Sequence, residues 1–472
     1  MKYNSKKNYD VRLIDTHAHL TFPDFDQDRE QVIKAAWDAG LEYIITIGGG
    51  ENLEGNIKAC QLAASHERIY AAVGFHPHDA SQVQDDWYDQ LAKLAAEKKV
   101  VAIGEIGLDF FKNKSPKPVQ EECFRRQIDL ANRLNLPLII HARDAHAEVL
   151  NIIQQQGRPE AGGVFHCFAG SPKFAWEVIN QGFHISIPGI VTFPNADTLK
   201  EVVAEIPLEK LMLETDCPFL APVPFRGKRN APAMVKEVAA KIAEIKGLSV
   251  SDVARITSLA AKRLFKLPGK ELISNVAYQI RNSMYLNITN QCNLRCKFCP
   301  KNADGCYEVK GHYLKLDNEP NIEEIFQAVG EPEEYDEVVF CGYGEPTKRL
   351  EVLKLIAARM KEKGAKSIRL NTDGLANLLY QRNVAQELHG LIDEISVSLN
   401  AADATTYAKI CPSPFGERAY AEVINFIREC KKYIPAVSIT AVGLPDLDTE
   451  KIKEIGKELG VKVRIREYYN LG

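Results

Sequence analysis

The sequence lacks a long apolar run. None of its 472 residues belongs to a stretch approaching the roughly 20 apolar residues that a membrane-spanning helix needs, and the mean hydropathy is −0.22. It opens on the polar residues MKYNSKKNYD, without the apolar segment of a secretion signal. These absences predict a cytoplasmic protein with no membrane partner.

An excess of one charge is also missing. Lys and Arg number 59 and Asp and Glu 63, which gives a formal net charge of -4 at pH 7. A protein with this balance has no general affinity for polyanions, so a nucleic-acid contact would have to come from a local basic patch. Cysteine is too sparse for a secreted disulfide scaffold, with 11 residues in the whole chain.

Histidine and cysteine are distributed unevenly, which indicates two domains. Nine of the 11 histidines precede residue 190, whereas seven of the 11 cysteines follow residue 290. Between these regions a helical pattern over 249–265 runs into LPGKELISN, whose Pro-Gly pair can stop a helix. The predicted organisation is a first domain over 1–267, a linker over 268–283 and a second domain over 284–472.

Short Val- and Ile-rich runs alternate with helical patterns through the first domain. There are eight runs: VRLID, EYIITIG, IYAAVGF, VVAIGEI, PLIIHA, GGVFHCF, FHISIPG and LMLETD. Their number and alternation predict an α/β fold with a closed (β/α)8 TIM barrel, whose active site lies at the C-terminal strand ends. Polar residues cluster there, namely Asp15, His17, His19, His76, Glu105, His141, His166 and Asp216.

This cluster favours a metal centre. His17 and His19 are two residues apart on a predicted strand, so both imidazoles point to one face. One buried histidine is most often a core residue, but imidazoles from four strand ends with carboxylates from two others indicate metal ligands. Since a carboxylate can bridge two divalent cations, we predict a two-metal centre with ions roughly 4 Å apart. Its ligands would be Glu105 as the bridge, His17, His19 and Asp216 on one side, and His141 and His166 on the other.

Asp216 has a second predicted role. Lying on the last strand, it is placed both to ligate a metal and to take a proton from the attacking water. Asp216 and Glu105 are therefore the candidate catalytic residues.

The motifs of the first domain resemble those of a known family. In order along the chain they are DTHAHL, VGFHPHDA, GEIGLDF, HARDA, HCFAG and TDCPFLAPVPFRGKRNAP. They are similar to the motifs of the TatD family of metal-dependent nucleases over about residues 1–267. The resemblance implies two divalent metals, Mg, Mn or Zn, and hydrolysis of phosphodiesters in DNA. It also implies that His76 faces the substrate phosphate.

Three basic residues look like further phosphate contacts. They are Arg143, Arg226 and Lys228, although a charged loop is about as often merely solvated. Members of the family often carry His before the RGK segment, where this chain has Phe225. That departure bears on how closely the substrate pocket follows the family.

Other functions stay open for this domain. The same metal pair would activate water for an amide or ester hydrolase, for example a deacylase on a small or tRNA-linked substrate. A third interpretation makes one of the two domains an idle binding module, against which the complete sets of candidate ligands argue.

The second domain repeats the alternation over six runs, too few to close a barrel. They are SMYLNIT, EVVFCGYG, SIRLNTDG, EISVSLN, AVSITAVG and VKVRIREY, and the loop after the first carries Cys292, Cys296 and Cys299. A zinc knuckle would need a fourth ligand, which Cys306 could supply. Three thiolates instead suit one 4Fe-4S cluster with an open iron, because each thiolate holds one iron.

The C-x3-C-x2-C loop, with Phe298 before its last cysteine, resembles the radical S-adenosylmethionine (SAM) superfamily and its partial (β/α)6 barrel. The segment GYGEP looks like the superfamily's GGEP motif, except that Tyr343 separates the glycines. The region is most similar to TatD-associated radical SAM proteins. The resemblance implies SAM as cofactor, a cellular reductant such as ferredoxin or flavodoxin, and a 5'-deoxyadenosyl radical acting on an unknown substrate. The implied SAM contacts are Phe298, Gly342, Gly344, Glu345, Asn371, Ser398 and Asn400.

Overall fold

The computed structural model of the chain describes residues 12–50, 52–269, 274–303, 305–445 and 447–467. They form two compact units, one within Tyr9–Lys270 and the other within Glu271–Gly472. Residues 270–273 of the predicted linker lie outside the described residues. Within the described ranges, none of the helices combines the length and hydrophobicity that a membrane span requires.

The first unit is built on eight parallel strands. They are β1 (Leu13–Ala18), β2 (Leu41–Ile47), β3 (Ile69–Val73), β4 (Val100–Asp109), β5 (Leu138–Arg143), β6 (Gly163–Phe165), β7 (His184–Ile187) and β8 (Leu211–Leu213). Each strand pairs with the next in chain order. The two edges meet where Ala18 and Cys217 form a parallel bridge and the His19 N–H donates to the Cys217 carbonyl at 2.9 Å. The predicted (β/α)8 barrel is confirmed.

Helices surround this barrel. They are α1 (Arg29–Asp38), α2 (Asn52–Ser65), α3 (Asp85–Ala95), α4 (Lys117–Leu134), α5 (His146–Gln156), α6 (Pro172–Asn180), α7 (Asp197–Glu205), α8 (Val235–Lys246) and α9 (Val250–Leu264). The last begins at a capping box in which the Ser249 hydroxyl accepts from the Asp252 N–H at 3.1 Å. Its Ser258 hydroxyl donates to the Arg12 carbonyl before β1, so α9 lies at the N-terminal end of the strands.

The second unit carries a seven-stranded sheet and a small hairpin. Its strands are β9 (Ala277–Ile280), β10 (Ser283–Leu286), β11 (Glu308–Val309), β12 (His312–Tyr313), β13 (Glu337–Phe340), β14 (Ile368–Thr372), β15 (Glu394–Ser398), β16 (Ala436–Gly443) and β17 (Lys462–Glu467). The sheet order is β17-β16-β15-β14-β13-β10-β9, and β11 pairs with β12. All six predicted strands are present and parallel, from β10 to β17.

The helices of this unit are mostly short. They are α10 (Pro300–Ala303), α11 (Ile322–Val329), α12 (Leu350–Glu362), α13 (Ala376–Tyr380), α14 (Val384–Glu387), α15 (Ala404–Ile410), α16 (Arg418–Tyr433) and α17 (Thr449–Leu459). A single apolar core joins α12, α16 and the strands, with Leu353, Phe426 and Ile395 fully buried.

The predicted linker 268–283 requires a correction, because its second part contains β9. This strand pairs antiparallel with β10. The ring of Tyr278 is only 2% exposed and stacks on Tyr285 with centroids 5.2 Å apart. Alternating apolar residues at Val276, Tyr278 and Ile280 were the available signal for a strand.

One glycine controls how closely β4 and β5 approach. Gly107 has φ +140°, and a Cβ added there would overlap the backbone carbonyl oxygen of His141. Because Glu105 lies two residues earlier on β4, this contact also sets its distance from the His141 side chain. A side chain at Gly107 would therefore disturb both the pairing of β4 with β5 and the distance between Glu105 and His141.

We expect Gly107→Ala to lower the free energy of unfolding by about 1–3 kcal/mol, since the strands must separate to admit the methyl group. The same movement should weaken divalent metal binding. Thermal unfolding and metal content would be measured together. Gly49→Ala is the matched control, because no heavy atom lies within 4 Å of a Cβ at Gly49. Unchanged stability and metal content in Gly107→Ala would show that β4 and β5 can part freely.

Candidate metal centre and cofactor cavity

The carboxylate of Glu105 lies at the centre of the barrel cluster. Its Oε1 atom is 2.7 Å from His141 Nδ1, 2.9 Å from His166 Nε2 and 3.4 Å from His76 Nε2. Its Oε2 atom is 3.5 Å from His17 Nε2. The side chain is 4% exposed, so each of its oxygens faces imidazole rather than solvent.

A second group adjoins the first. Asp216 Oδ1 lies 3.3 Å from His19 Nε2 and 3.8 Å from His17 Nε2, and the two Nε2 atoms are 3.3 Å apart. Two imidazole nitrogens that face each other at this distance need a shared hydrogen or a shared cation between them. The nitrogen and oxygen donors fit a divalent ion in either group.

Three sets of ligand atoms lie close enough to share an ion. They are His17, His19 and Asp216; His17, Glu105 and His166; and His76, Glu105 and His141. All the predicted ligands are therefore brought together, and Glu105 lies between the groups as expected of a bridge. His76, predicted as a phosphate contact, lies within reach of the same ion as His141.

Two further carboxylates hold the imidazoles from behind. Asp109 Oδ2 lies 3.2 Å from His141 Nε2 and 2.8 Å from His78 Nε2. Glu214 Oε1 lies 3.5 Å from His166 Nδ1 and accepts from the Cys167 N–H at 2.6 Å. Such partners fix the orientation and basicity of metal-bound histidines.

Asp109 and Glu214 were not among the predicted site residues, although both stand in conspicuous strand-end segments, GLDF and LETD. The available signal was the spacing along the strand: Asp109 follows Glu105 by four residues on β4, and Glu214 follows β8 directly. Carboxylates at those positions reach the same barrel end as the ligands.

Within the cluster, the pKa of the central carboxyl group is lowered, whereas the pKa values of two imidazoles are raised. Burial alone would raise the pKa of Glu105, but the charges of His166 and His76 and hydrogen bonds from His141 and His166 hold it well below its usual value. Burial would lower the pKa of His166, yet the carboxylates of Glu105 and Glu214 raise it well above the usual value. The pKa of His141 is raised by Asp109 and Glu105 against the effect of burial.

The predicted phosphate contacts in loops are exposed cations. Arg143, Arg226 and Lys228 are all exposed, and no carboxylate among the described residues forms an ion pair with any of them. The neighbouring Arg229, by contrast, is paired with Asp28 at 2.5 Å. The guanidinium of Arg143 lies 4.1 Å over the Phe111 ring, and that of Arg226 lies 3.9 Å over Phe193. These three charges are available to an anionic ligand.

The second unit contains a cavity of about 340 Å³ that extends along the inner side of its seven-stranded sheet and reaches the loops after the strands. It collects every predicted cluster and SAM residue: Cys292, Cys296, Phe298, Cys299, Gly342, Gly344, Glu345, Asn371, Ser398 and Asn400. Cys306, the candidate fourth ligand of a zinc knuckle, is not part of its lining. Three thiols that line one cavity fit a cluster that leaves one iron open.

The glycine turn of this cavity leaves no room for side chains. A Cβ at Gly342 would overlap the Asn287 side chain, and one at Gly344 would overlap the Thr289 carbonyl oxygen. The backbone at GYGEP therefore packs directly on the segment after β10 that carries the cysteines. The departure from the GGEP pattern at Tyr343 is accommodated, because its hydroxyl donates to the Glu308 carbonyl at 2.9 Å.

Glu345, predicted as a SAM contact, is held rigidly. Its Oε1 atom accepts from the Thr347 N–H at 3.0 Å and the Thr372 hydroxyl at 2.8 Å, and its Oε2 atom accepts from the Asp373 N–H at 2.6 Å. Asp373 itself, which the sequence analysis missed, is 5% exposed and lines the cavity. Burial and the charge of Glu345 raise the pKa of Asp373 well above its usual value.

One cysteine outside the loop contacts one of the predicted cluster ligands. Cys411 is fully buried and its Sγ atom lies 3.4 Å from Cys296 Sγ. The hydrogen bond with Cys411, together with burial, raises the pKa of the Cys296 thiol. Cys411 follows α15, more than a hundred residues after the loop, so its proximity to Cys296 had no local signal in the sequence.

A closed (β/α)8 barrel whose strand ends join imidazoles and carboxylates in overlapping ligand groups has the architecture of a metal-dependent hydrolase. The family described as TatD related DNase matches residues 14–266, more than half of the chain, and the chain belongs to this family. The Radical SAM superfamily matches residues 286–459, so the second unit is a radical SAM domain. Both resemblances drawn from the motifs are confirmed.

Curated relatives and a solved structure cover the first unit. The uncharacterized metal-dependent hydrolase YabD of Bacillus subtilis is 47% identical over 255 residues, which are 54% of this chain and 99% of that protein. The 3'-5' ssDNA/RNA exonuclease TatD of Cronobacter sakazakii is 36% identical, over 54% of this chain and 97% of its own. The crystal structure of the TatD homologue YJJV from Escherichia coli K12 aligns with TM-score 0.52 and 32% identity, over 55% of this chain and 100% of its own.

Metal binding should release protons. The pKa values of His166 and His141 are raised by the neighbouring carboxylates, so these rings hold a proton more strongly than a free imidazole does, and ligation requires the neutral form. We expect release of about one to two protons, with metal affinity falling as the pH is lowered because protons then compete better. Titration calorimetry at pH 7 in buffers of different ionisation enthalpy measures this number.

The variant Asp109→Asn is the matched comparison for proton release. It replaces the carboxylate whose hydrogen bond raises the pKa of His141 by a weaker, neutral acceptor, so fewer protons should be released per metal bound. Equal heats in all buffers for the unmodified protein would contradict the protonated state assigned to the imidazoles.

Proposed function

We propose that the first unit is a two-metal nuclease that hydrolyses phosphodiester bonds in single-stranded nucleic acid, with DNA as the first candidate substrate. The observation that carries the proposal is the position of Glu105, whose two oxygens face different imidazoles within 3.5 Å. The name of the Cronobacter relative, an ssDNA/RNA exonuclease, supports the choice of substrate.

In this proposal the candidate ligands hold two cations and one carboxylate also accepts a proton. Two divalent cations at this site would activate a water molecule and neutralise charge on the attacking and leaving oxygens. Glu105 would bridge them, with His17, His19 and Asp216 on one side and His141 and His166 on the other. Asp216, which is 14% exposed, would accept the proton of the attacking water.

The outer residues would orient the ligands and the substrate. Asp109 and Glu214 keep the rings of His141 and His166 turned towards Glu105. The exposed cations Arg143, Arg226 and Lys228 would contact backbone phosphates, which positions the strand without reading its sequence. His76 would lie beside the phosphate nearest the metals.

We expect the variants Glu105→Gln and Asp216→Asn to lose cleavage of single-stranded DNA in Mg²⁺ or Mn²⁺ by at least about a hundredfold. Glu105→Gln should also lose bound metal from both groups, because it removes the shared ligand. Asp197→Asn, an exposed carboxylate on α7, serves as the control. Cleavage of a labelled oligonucleotide and metal content are the measurements.

This experiment separates the nuclease from its alternatives. Full activity in Glu105→Gln would refute the bridging role of Glu105. A protein that leaves polynucleotides intact but hydrolyses esters or amides would favour the amide or ester hydrolase. A protein that binds metal and turns over none of these substrates would favour a binding module.

We propose further that the second unit binds one 4Fe-4S cluster through Cys292, Cys296 and Cys299 and uses SAM. The supporting observation is that these thiols and the predicted SAM contacts line one cavity. A reduced cluster with SAM would supply one-electron chemistry, in which SAM is split to methionine and a 5'-deoxyadenosyl radical, and a ferredoxin or flavodoxin would supply the electron. Glu345 and the Gly342–Gly344 turn would hold the methionine amino group, with Asn371, Ser398 and Asn400 around the rest of the cofactor.

Replacing individual cysteines distinguishes a cluster from a zinc knuckle. After anaerobic reconstitution we expect about three to four irons per chain, with Cys296→Ala abolishing both the iron chromophore and SAM cleavage. Cys306→Ala should leave both intact, because Cys306 lies outside the cavity lining. One zinc per chain that is lost in Cys306→Ala, without an iron chromophore, would contradict the cluster.

A further inference from the structure

Two exposed aromatic rings stand out in the first unit. The chain has 19 phenylalanines, all within the described residues, and only Phe111 and Phe219 are exposed, by 57% and 51%. A single exposed apolar side chain is common on protein surfaces and needs no explanation. Exposed aromatic rings beside a functional site are more informative, because apolar surface there can bind a ligand. Both rings lie directly after segments that carry site residues.

Phe219 adjoins the Asp216 side of the metal centre. Its N–H donates to the Asp216 carbonyl at 3.0 Å, and its own carbonyl accepts from the Asn230 side chain at 2.6 Å. Its ring is 6.3 Å from the His19 ring and 6.1 Å from the Phe22 ring, edge to face in both cases. Phe22 in turn stacks on His19 at 4.5 Å. An aromatic wall therefore runs from a metal ligand out to solvent.

Phe111 adjoins the opposite side. It follows β4 two residues after Asp109, and the preceding Phe110 N–H donates to the Arg143 carbonyl at 2.9 Å. The Arg143 guanidinium, two residues beyond His141, covers one face of the Phe111 ring at 4.1 Å. In the eight-stranded barrel order, the β4–β5 side stands across from the junction of β8 and β1 that carries Phe219.

We infer that Phe219 and Phe111 are stacking platforms for the bases on either side of the cleaved phosphate. This inference rests on the proposed nuclease. Aromatic rings beside a cationic groove are a general means of binding single strands, because every base offers a flat face to stack. Phe219 follows the candidate ligand Asp216 by three residues, Phe111 follows Asp109 by two, and the unpaired Arg143 adds positive charge beside Phe111.

This arrangement also selects the form of the substrate. In a duplex each base face is already covered by its neighbours, so stacking on Phe111 or Phe219 would require the base to leave the helix. An unpaired strand meets no such cost. The two platforms therefore favour single-stranded over double-stranded nucleic acid without reading sequence.

The test is a double-mutant cycle, in which an aromatic ring is removed from the protein and bases are removed from the substrate, separately and together. The full-length protein with Mn²⁺ would cleave a single-stranded oligodeoxynucleotide and a copy with abasic residues on both sides of the cleaved bond. We expect Phe219→Ala and Phe111→Ala each to raise KM on the intact strand about tenfold, with little change on the abasic copy. Phe219→Trp should restore the KM of the intact strand.

Val223→Ala is the matched control, because Val223 is an exposed apolar residue, 41% exposed, in the same loop as Phe219. Equal losses on the intact and abasic strands, or unchanged KM in both alanine variants, would overturn the stacking role while leaving the nuclease in place. An unmodified protein that cleaves neither strand would overturn the nuclease and the stacking role together.

Discussion

The first unit depends on the compensation of one buried charge. Glu105 is almost fully buried, and a carboxylate in that position is stable only if it is surrounded by groups that carry or share positive charge. The barrel supplies them from separate strands, with His17 on β1, His141 on β5 and His166 after β6. Because those strands are distant in sequence, the cluster can form only when the barrel closes. The site therefore depends on the same strand order that closes the barrel.

In the second unit the candidate cluster ligands come from one short segment of the chain. Its three loop cysteines follow one strand, β10, so their proximity to each other does not require a closed barrel. What the fold adds is the opposite wall, where Gly342 and Gly344 pack on the β10 segment and Glu345 is held by three neighbours. An open sheet leaves the interior available as a cavity, whereas the closed barrel confines its site to the strand ends.

Sequence patterns predicted the strands of both units and selected candidate ligands that the structure brings together, because periodic apolar runs and strand-end polar residues are local signals. They did not reveal partners that depend on three-dimensional proximity. Asp109 and Glu214 act on imidazoles from other strands, and Cys411 reaches Cys296 across more than a hundred residues. The strand β9 was missed because four residues beside a turn-rich segment carry too short a pattern. His76 lies beside Glu105 because β3, which precedes His76, pairs directly with β4.

The overlap of the ligand groups has a consequence for how the site works. His17 and Glu105 each belong to two of the three groups, so every group shares at least one ligand with another. Whatever fixes one group, such as Asp109 through His141 or Glu214 through His166, also fixes part of the other. The two cations would repel each other at roughly 4 Å, and the negative charge of the shared Glu105 is what offsets that repulsion. A neutral residue at this position would remove both the shared ligand and the compensating charge, so its effect would extend to every group that includes Glu105.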